Sequence, residues 1–376
     1  MMKKIIFISN NATRTGAPYV LLLFLKWLKK ENKNIEIDVL FLEGGDLLDE
    51  FKQVANVCYN YSDILIRKSF GNRLYFYLLR KTNKTNTRKN RYIKKIASQQ
   101  YDIIYANTIA SVSIATLLKK NCSNQPKLVA HIHELNTTIK AYLPNFKEHI
   151  PHIDLFISVS NMVMQHLNLD WGIDPLKNYL VYEFSGKVAR KQEENEKVFE
   201  VGASGMVSSR KGDDLFIQVA NYIKIRYPEI KIKFTWVGQI YNRQRNLIEA
   251  DIEKANLKET VFFVGEQSDP ENYFKNFDIF LMTSREDPFP LVCIEVGKMG
   301  IPIICFEKAT GTAEILVNGG GFIVPYLDVV VMAEKIIMYY NDVDLRLRDG
   351  EMNKVNFSRF TAEIMGAELY TILENI

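Results

Sequence analysis

Residues 284–316 read SREDPFPLVCIEVGKMGIPIICFEKATGTAEIL. The stretch follows an apolar run, Ile279 to Met282, of the length and composition of a buried strand. Two acids come at once, Glu286 and Asp287, and then a turn flanked by Pro288 and Pro290. A third acid, Glu295, lies in an apolar segment whose pattern predicts a helix. A second short strand, IPIICF, and a turn at Gly311–Thr312 close the stretch. Strand, acidic loop, helix and strand make one repeat of an open α/β sheet, and such sheets gather ligands at the carboxyl ends of their strands.

The same alternation extends in both directions. Upstream, FEVGASGMV, SSRKGDD and LFIQVANYIKIRY give strand, loop and helix. IKFTWVG (232–238), a helix through Asn256, VFFVG (261–265) and a short helix lead up to the opening stretch. GGFIVPYLD follows it, and the last forty-odd residues read as helices. Residues 186–198, GKVARKQEENEKV, are polar with no apolar period, which predicts a linker. Before them a first series begins at Ile5–Ser9, a short β-rich run, followed by the loop NNATRTGAP and an apolar helix from Tyr19 to Lys30. Strands are expected at 35–42, in VANVCYN, at 101–108, in PKLVAHIHEL, at 154–160 and at 179–184. The expected architecture is therefore α/β, with two doubly wound units built on parallel sheets: 1–185, a linker at 186–198, and 199–358. Residues 359–376 predict a helix long enough to cross back onto the first unit.

Composition fits a globular chain too long for one ordinary core: 376 residues, 47% apolar and 24% charged. A net charge of +4 gives no reason to expect nucleic acid. Cys58, Cys122, Cys293 and Cys305 are widely spaced and read as reduced, buried thiols of a cytoplasmic protein. The start MMKKIIFIS has too short an apolar run for a signal peptide, and YVLLLFLKWL is too short to span a bilayer. From Arg67 to Gln100 there are eleven Lys or Arg and no acid, interleaved with Phe70, Tyr75, Phe76, Tyr77 and Tyr92. Such a run is ordinarily a solvated face. A basic aromatic surface also suits anionic lipid headgroups or a phosphorylated acceptor, which would make the protein peripheral at the inner face of the membrane.

Three loops carry candidate chemistry. In TRTGAP, Arg14, Gly16 and Ala17 precede a helix, where backbone N–H groups can meet an anion, or Gly16 simply makes a tight turn. The loop is not GxGxxG, so a dinucleotide fingerprint is absent. PKLVAHIHEL brings His131 and His133 onto one face at a strand end, either as ligand contacts or as a hydrogen-bonded pair. HxHE lacks the spacing of a zinc site, and no metal is expected. In SSRKGDD, Arg210 and Lys211 stand at a glycine turn before a helix, suited to a phosphate.

Together these residues resemble the retaining nucleotide-sugar glycosyltransferases of family 4, of GT-B architecture: two facing Rossmann-like domains with parallel sheets and a central cleft. DPFPLVCIE, with Asp287 and Glu295 eight apart, is similar to the family's E-P-F-G-L-x-x-x-E. SGMVSSRKGDD is similar to its G-R-L-x-x-x-K-G. The glycine loop and the strand ending in histidine are a looser match. The chain departs at Met206, where the family has arginine, at Asp287 for glutamate and at Pro290 for glycine.

The resemblance implies a nucleotide-diphosphate sugar as substrate, no cofactor, and transfer to a hydroxyl of a glycan or lipid-diphosphate-linked acceptor in cell-surface polysaccharide synthesis. It implies catalytic roles for His133, Asp287 and Lys211. It implies donor binding by Gly205, Arg210, Lys211, Glu286, Asp287, Phe289, Leu291 and Glu295, with Glu295 on the ribose and Asp287 on the sugar hydroxyls. Arg14, Gly16 and Ala17 would approach the acceptor or diphosphate. Met206 favours a second reading, a catalytically weak, transferase-like binding or scaffold subunit of a glycan assembly complex.

Overall fold

The computed structural model describes residues 2–31, 34–62, 84–186 and 198–376, with 84–87 described by their backbone alone. The linker expectation at 186–198, apart from its two end residues, and the 67–83 part of the basic segment lie outside the described residues. The chain forms two compact units: residues 1–182 with 362–376, and residues 183–361.

Unit 1 holds β1 (Lys3–Ser9), α1 (Gly16–Lys30), β2 (Ile35–Phe41), α2 (Leu48–Val54), β3 (Val57–Asn60) and α3 (Lys84–Ala97). It continues with β4 (Ile103–Asn107), α4 (Ile109–Asn121), β5 (Lys127–Ile132), α5 (Asn136–Tyr142), α6 (Phe146–His149), β6 (Leu155–Ser158), α7 (Asn161–Trp171) and β7 (Asn178–Leu180). Its seven strands are all parallel, in the order β3-β2-β1-β4-β5-β6-β7. Ile5–Ile8 of β1 and Ile103–Ala106 of β4 are unbroken buried apolar runs because helices cover both faces of a parallel sheet.

The last helix of the chain, at Ala362–Glu374, belongs to this unit and lies on α1. A Cβ at Gly366 would sit 3.3 Å from the Trp27 ring, so the missing side chain lets the two helices approach. Lys3 Nζ donates to the carbonyls of Leu373 (3.1 Å) and Glu374 (2.7 Å), a cation at a helix carboxyl end.

Unit 2 holds β8 (Phe199–Ser204), α8 (Asp213–Arg226), β9 (Ile232–Val237), α9 (Asn242–Lys254), β10 (Val261–Gly265), α10 (Glu271–Phe274) and β11 (Ile279–Met282). It closes with α11 (Leu291–Lys298), β12 (Ile303–Phe306), α12 (Thr312–Leu316), β13 (Gly321–Val324), α13 (Val329–Asn341) and α14 (Val343–Phe357); the final helix of unit 1 is α15. The six strands are parallel, in the order β10-β9-β8-β11-β12-β13. In local order unit 2 runs 3-2-1-4-5-6 and unit 1 adds a seventh strand at the end of the same order, the doubly wound pattern whose switch point lies between the first and fourth strands. In unit 2 that point is the β8/β11 pair, and in unit 1 it is β1/β4.

Cys122, Cys293 and Cys305 are buried free thiols, and Cys58 is half-buried and free. Among the described residues no helix is long and apolar enough to cross a membrane, and no three His, Cys, Asp or Glu side chains gather as a metal site.

Candidate functional site

The switch point of unit 2 assembles the site from two loops. One leaves β8 and enters α8, carrying Gly205, Met206, Arg210 and Lys211. The other leaves β11 and enters α11, carrying Arg285, Glu286, Asp287 and Phe289. Lys211 Nζ donates to Asp287 Oδ2, and both side chains are largely withdrawn from solvent (14% and 8% exposed). Ser284 Oγ donates to the same oxygen at 3.3 Å. The backbone at Gly205 (φ +141°) lies under the lysine: a Cβ there would stand 3.2 Å from Lys211 Cε.

Four further bonds lock the loops together. Thr283 Oγ1 donates to the Lys211 carbonyl (3.0 Å), and Arg285 N donates to the Arg210 carbonyl (2.8 Å). Arg210 Nη1 donates to the Glu286 carbonyl (2.7 Å), and Arg285 Nη1 to that of Ser209 (2.6 Å). Arg285 also grips Asp214, in the first turn of α8, with two bonds of 2.9 and 2.8 Å, a fork-to-fork pair. That guanidinium holds the Asp214 carboxyl below its ordinary range, whereas burial pushes neighbouring Asp213 up.

Gly212 (φ +74°) opens α8, and a Cβ on it would fall 2.1 Å from the Thr283 carbonyl oxygen. Gly212→Ala therefore meets both left-handed strain and a backbone clash. It is expected to destabilise unit 2 by about 3 kcal/mol, read as a lowered denaturation midpoint. An unchanged midpoint would mean that the loop shifts freely.

After Asp287 the chain is pinned to the next strand loop: Asp287 N donates to the Ala309 carbonyl (2.8 Å) and Gly311 N to that of Pro288 (3.0 Å). Phe289 is buried with its ring 5.2 Å from Phe360. Pro290 is the N-cap of α11 and offers no side-chain cap, so the amides around Leu291 open the helix. Asp287 thus lies in the loop ahead of the helix, and Glu295 lies on the second turn. The Glu295 carboxyl is part-buried and makes no hydrogen bond with the described residues. Burial, reinforced by Glu271 and opposed by Lys298, pushes it up to about 7.

In unit 1 the switch point gathers other expected residues. Gly16 (φ +43°) begins α1 in open space, and Asn107 Nδ2, at the end of β4, donates to the Ala17 carbonyl (3.1 Å). Arg14 is turned to acids of its own unit: it pairs with Glu50, and its amide donates to Asp46 Oδ1 (3.2 Å). His131 is buried with Nδ1 2.6 Å from Tyr105 Oη, and burial lowers its pKa well below the ordinary value. The ring of His133, just past β5, lies against it, tilted by 51° with centroids 4.0 Å apart, and remains part-buried. Glu134 accepts from the amides of Ile109 and His133, both at 3.0 Å, which fixes the turn that carries His133. Asn10 Oδ1, Thr108 Oγ1 and His131 Nε2 are buried at these strand ends without a partner among the described residues. They make this edge polar.

Sequence reasoning missed Ser284, the Asp214–Arg285 clasp and Lys298. Ser284 lies three residues before its partner, at the start of the 284–316 stretch. Nothing local joins Asp214 to Arg285.

Residues 14–183 match the family model Glycosyltransferase Family 4, and residues 185–354 match Glycosyl transferases group 1. An O-antigen biosynthesis glycosyltransferase of Escherichia coli, WclY, is 23% identical over 323 residues, spanning 80% of this chain and 79% of its own length. An uncharacterized glycosyltransferase of Haemophilus influenzae is 23% identical over 163 residues, so the match spans 43% of this chain and only 44% of that relative. Among solved structures, Alr3699/HepE of Anabaena in complex with UDP and glucose has a TM-score of 0.79 at 16% identity, covering 100% of both chains. Sucrose-phosphate synthase of Thermosynechococcus elongatus has a TM-score of 0.78 at 16% identity, covering 99% and 98%. At these identities the structural likeness is one of fold.

Proposed function

The chain belongs to the family 4 glycosyltransferases, with the group 1 domain as its second unit, and from that premise we propose that it moves a sugar from a nucleotide-diphosphate donor to an acceptor hydroxyl with retention. The acceptor is a glycan or a lipid-diphosphate-linked glycan, and the setting is cell-surface polysaccharide synthesis, as the name of the Escherichia coli relative suggests. The observation that carries the reading is the Lys211–Asp287 pair at the switch point, with an unpartnered Glu295 carboxyl one helix turn beyond the loop.

Each group has a task. Lys211, with exposed Arg210 just before it, offers positive charge to the diphosphate, and the amides around Phe289 and Leu291 add donors at the start of α11. Glu295 accepts from the vicinal ribose hydroxyls, since a carboxylate can take two donors. Asp287 has one oxygen engaged by Lys211 and Ser284 and another to accept from a sugar hydroxyl. Glu286 flanks it, and Gly205 leaves room for the lysine stem.

In the transfer the bond from the anomeric carbon to the phosphate oxygen breaks, and the acceptor oxygen bonds to that carbon on the same face. The acceptor proton passes to the departing phosphate. No second carboxylate is required as a nucleophile, unlike in retaining hydrolases. In unit 1, His133 and the Arg14, Gly16 and Ala17 loop are assigned to the acceptor side of the reaction.

The test is incubation with a panel of nucleotide sugars while nucleoside diphosphate release is followed. Release with one donor supports the reading. Folded protein that binds and releases with none would overturn it. Donor binding without release, with acceptor extracts present, would favour the scaffold reading that Met206 suggests, an exposed side chain where the family has arginine.

The basic segment extends the proposal to the membrane. α3 buries Ile93 and Ile96 and leaves Arg88, Arg91, Lys94 and Lys95 exposed, with Lys89 part-exposed. Each such cation near an anionic leaflet contributes about 1 kcal/mol. Charge reversal at Arg88, Lys89 and Arg91 is expected to abolish co-sedimentation with phosphatidylserine vesicles at physiological salt. Unchanged co-sedimentation would leave only a solvated face.

A further inference from the structure

The helix that carries Glu295 ends on a lysine that no motif of the chain called for. Lys298 is the last residue of α11, three positions after Glu295 and so on the same side of the helix. Its ammonium does not swing in solvent. It donates to the Phe360 carbonyl at 2.8 Å and to the Ser185 carbonyl at 3.3 Å, and Ser185 N donates in turn to the Phe360 carbonyl at 3.3 Å. Ser185 and Phe360 are both buried, so their carbonyls are fixed points. Phe360 also meets Phe289, of the loop ahead of α11, edge to face. One short segment therefore braces both ends of the stretch from Phe289 to Lys298, by a ring at the start and a carbonyl at the finish.

We propose that Lys298 is a positioning residue for Glu295: anchored on the Ser185 and Phe360 carbonyls, it holds a fixed positive charge beside that carboxyl and so sets the pH range over which the site accepts a nucleotide ribose. The inference rests on the reading of Glu295 as the ribose acceptor. Two charged groups act on the Glu295 carboxyl through space, Glu271 in α10 and Lys298 three residues on along its own helix. Glu271 and burial favour the protonated form, and Lys298 opposes both. A protonated carboxyl can accept less from two hydroxyls than a carboxylate can. Removing the ammonium must therefore narrow the working range from the acid side.

The test uses the full chain and two variants, Lys298→Met and Lys298→Arg. The Glu295 carboxyl, labelled with carbon-13, is titrated by NMR in the ligand-free protein. Affinities for UDP, GDP and ADP are then measured by calorimetry from pH 5.5 to 9. In Lys298→Met the carboxyl midpoint is expected to rise by about one unit. Affinity for whichever diphosphate binds should fall about fivefold at pH 7 and recover by pH 9, while Lys298→Arg keeps the original profile. An unmoved carboxyl midpoint in Lys298→Met overturns the inference, as does an equal loss of affinity at every pH. If the midpoint rises but no nucleotide binds the parent protein, the ribose reading fails and the electrostatic role of Lys298 stands. Should Lys298→Met not fold, Lys298→Gln replaces it with the same expected rise.

Discussion

Replacing Lys211 with alanine is expected to lower kcat/KM for the nucleotide sugar by about three orders of magnitude, most of it in kcat. The reason is where charge develops. The diphosphate is bound in the ground state, but it gains negative charge only as the sugar bond breaks. A fixed ammonium in a largely desolvated setting is worth more at that moment than before it. Lys211 has that setting: it is 14% exposed, supported by Gly205 and oriented by Asp287. The variant carries a second cost, because Asp287 keeps its charge without a partner. Breaking one side of a buried pair typically costs about 3 kcal/mol or more of stability. The double variant Lys211→Ala/Asp287→Asn separates the two effects. It should regain much of the stability and none of the activity. A raised KM with kcat intact in the single variant would show that Lys211 contributes binding alone, and the proposed leaving-group role would be wrong.

That pair also marks the limit of what the sequence discloses. Buried parallel strands are unbroken apolar runs, so Ile5–Ser9, 101–108, 154–160 and 261–265 could be read as strands directly. Their order could not. β1 pairs with β4 nearly a hundred residues away, Ile5 opposite Ile103, and no local pattern encodes that register. The apolar run starts at Tyr19, three residues inside α1, because the helix opens on Gly16, Ala17 and Pro18, which carry no strong apolar pattern. The run at 179–184 reads as one strand, yet β7 stops at Leu180; the Val181 amide still donates to the Ser158 carbonyl of β6 at 3.0 Å, and Phe184 is buried beyond the strand, as apolar residues of a connecting segment can be.

At the site, Asp287 and Glu295 were legible because their spacing lies within one loop and helix. The bond from Lys211 to Asp287 spans 76 positions, and the Arg285–Asp214 clasp spans 71. Both depend on β8 and β11 being neighbours, which follows from strand order alone.

Glu295→Gln is expected to do two opposite things: weaken nucleotide binding about a hundredfold and stabilise the free protein above pH 7. On the role proposed for Glu295, the binding loss follows from exchanging a carboxylate able to accept from two ribose hydroxyls for an amide with one acceptor oxygen, at about 1.5–3 kcal/mol per charge-assisted bond. The stability gain follows from linkage. The ordinary value for this carboxyl is 4.5, and in the fold it is pushed up to about 7, mainly by burial. Between these two values the folded chain binds more protons than the unfolded chain, so stability falls as pH rises through the interval. Above pH 7 the full penalty is present, on the order of 3 kcal/mol, and glutamine removes it. Below pH 4.5 the carboxyl is neutral in both states, and the substitution should be nearly silent. Denaturant unfolding at pH 5 and pH 8.5 reads the difference: a gain expected at the higher pH and little at the lower. Equal stability of the two proteins at pH 8.5 would mean that Glu295 is not held in an environment hostile to its charge. A group kept at such cost and without a hydrogen bond in the free chain is what a binding site for a hydroxyl-rich ligand requires, and the two measurements on one variant decide whether that is its use.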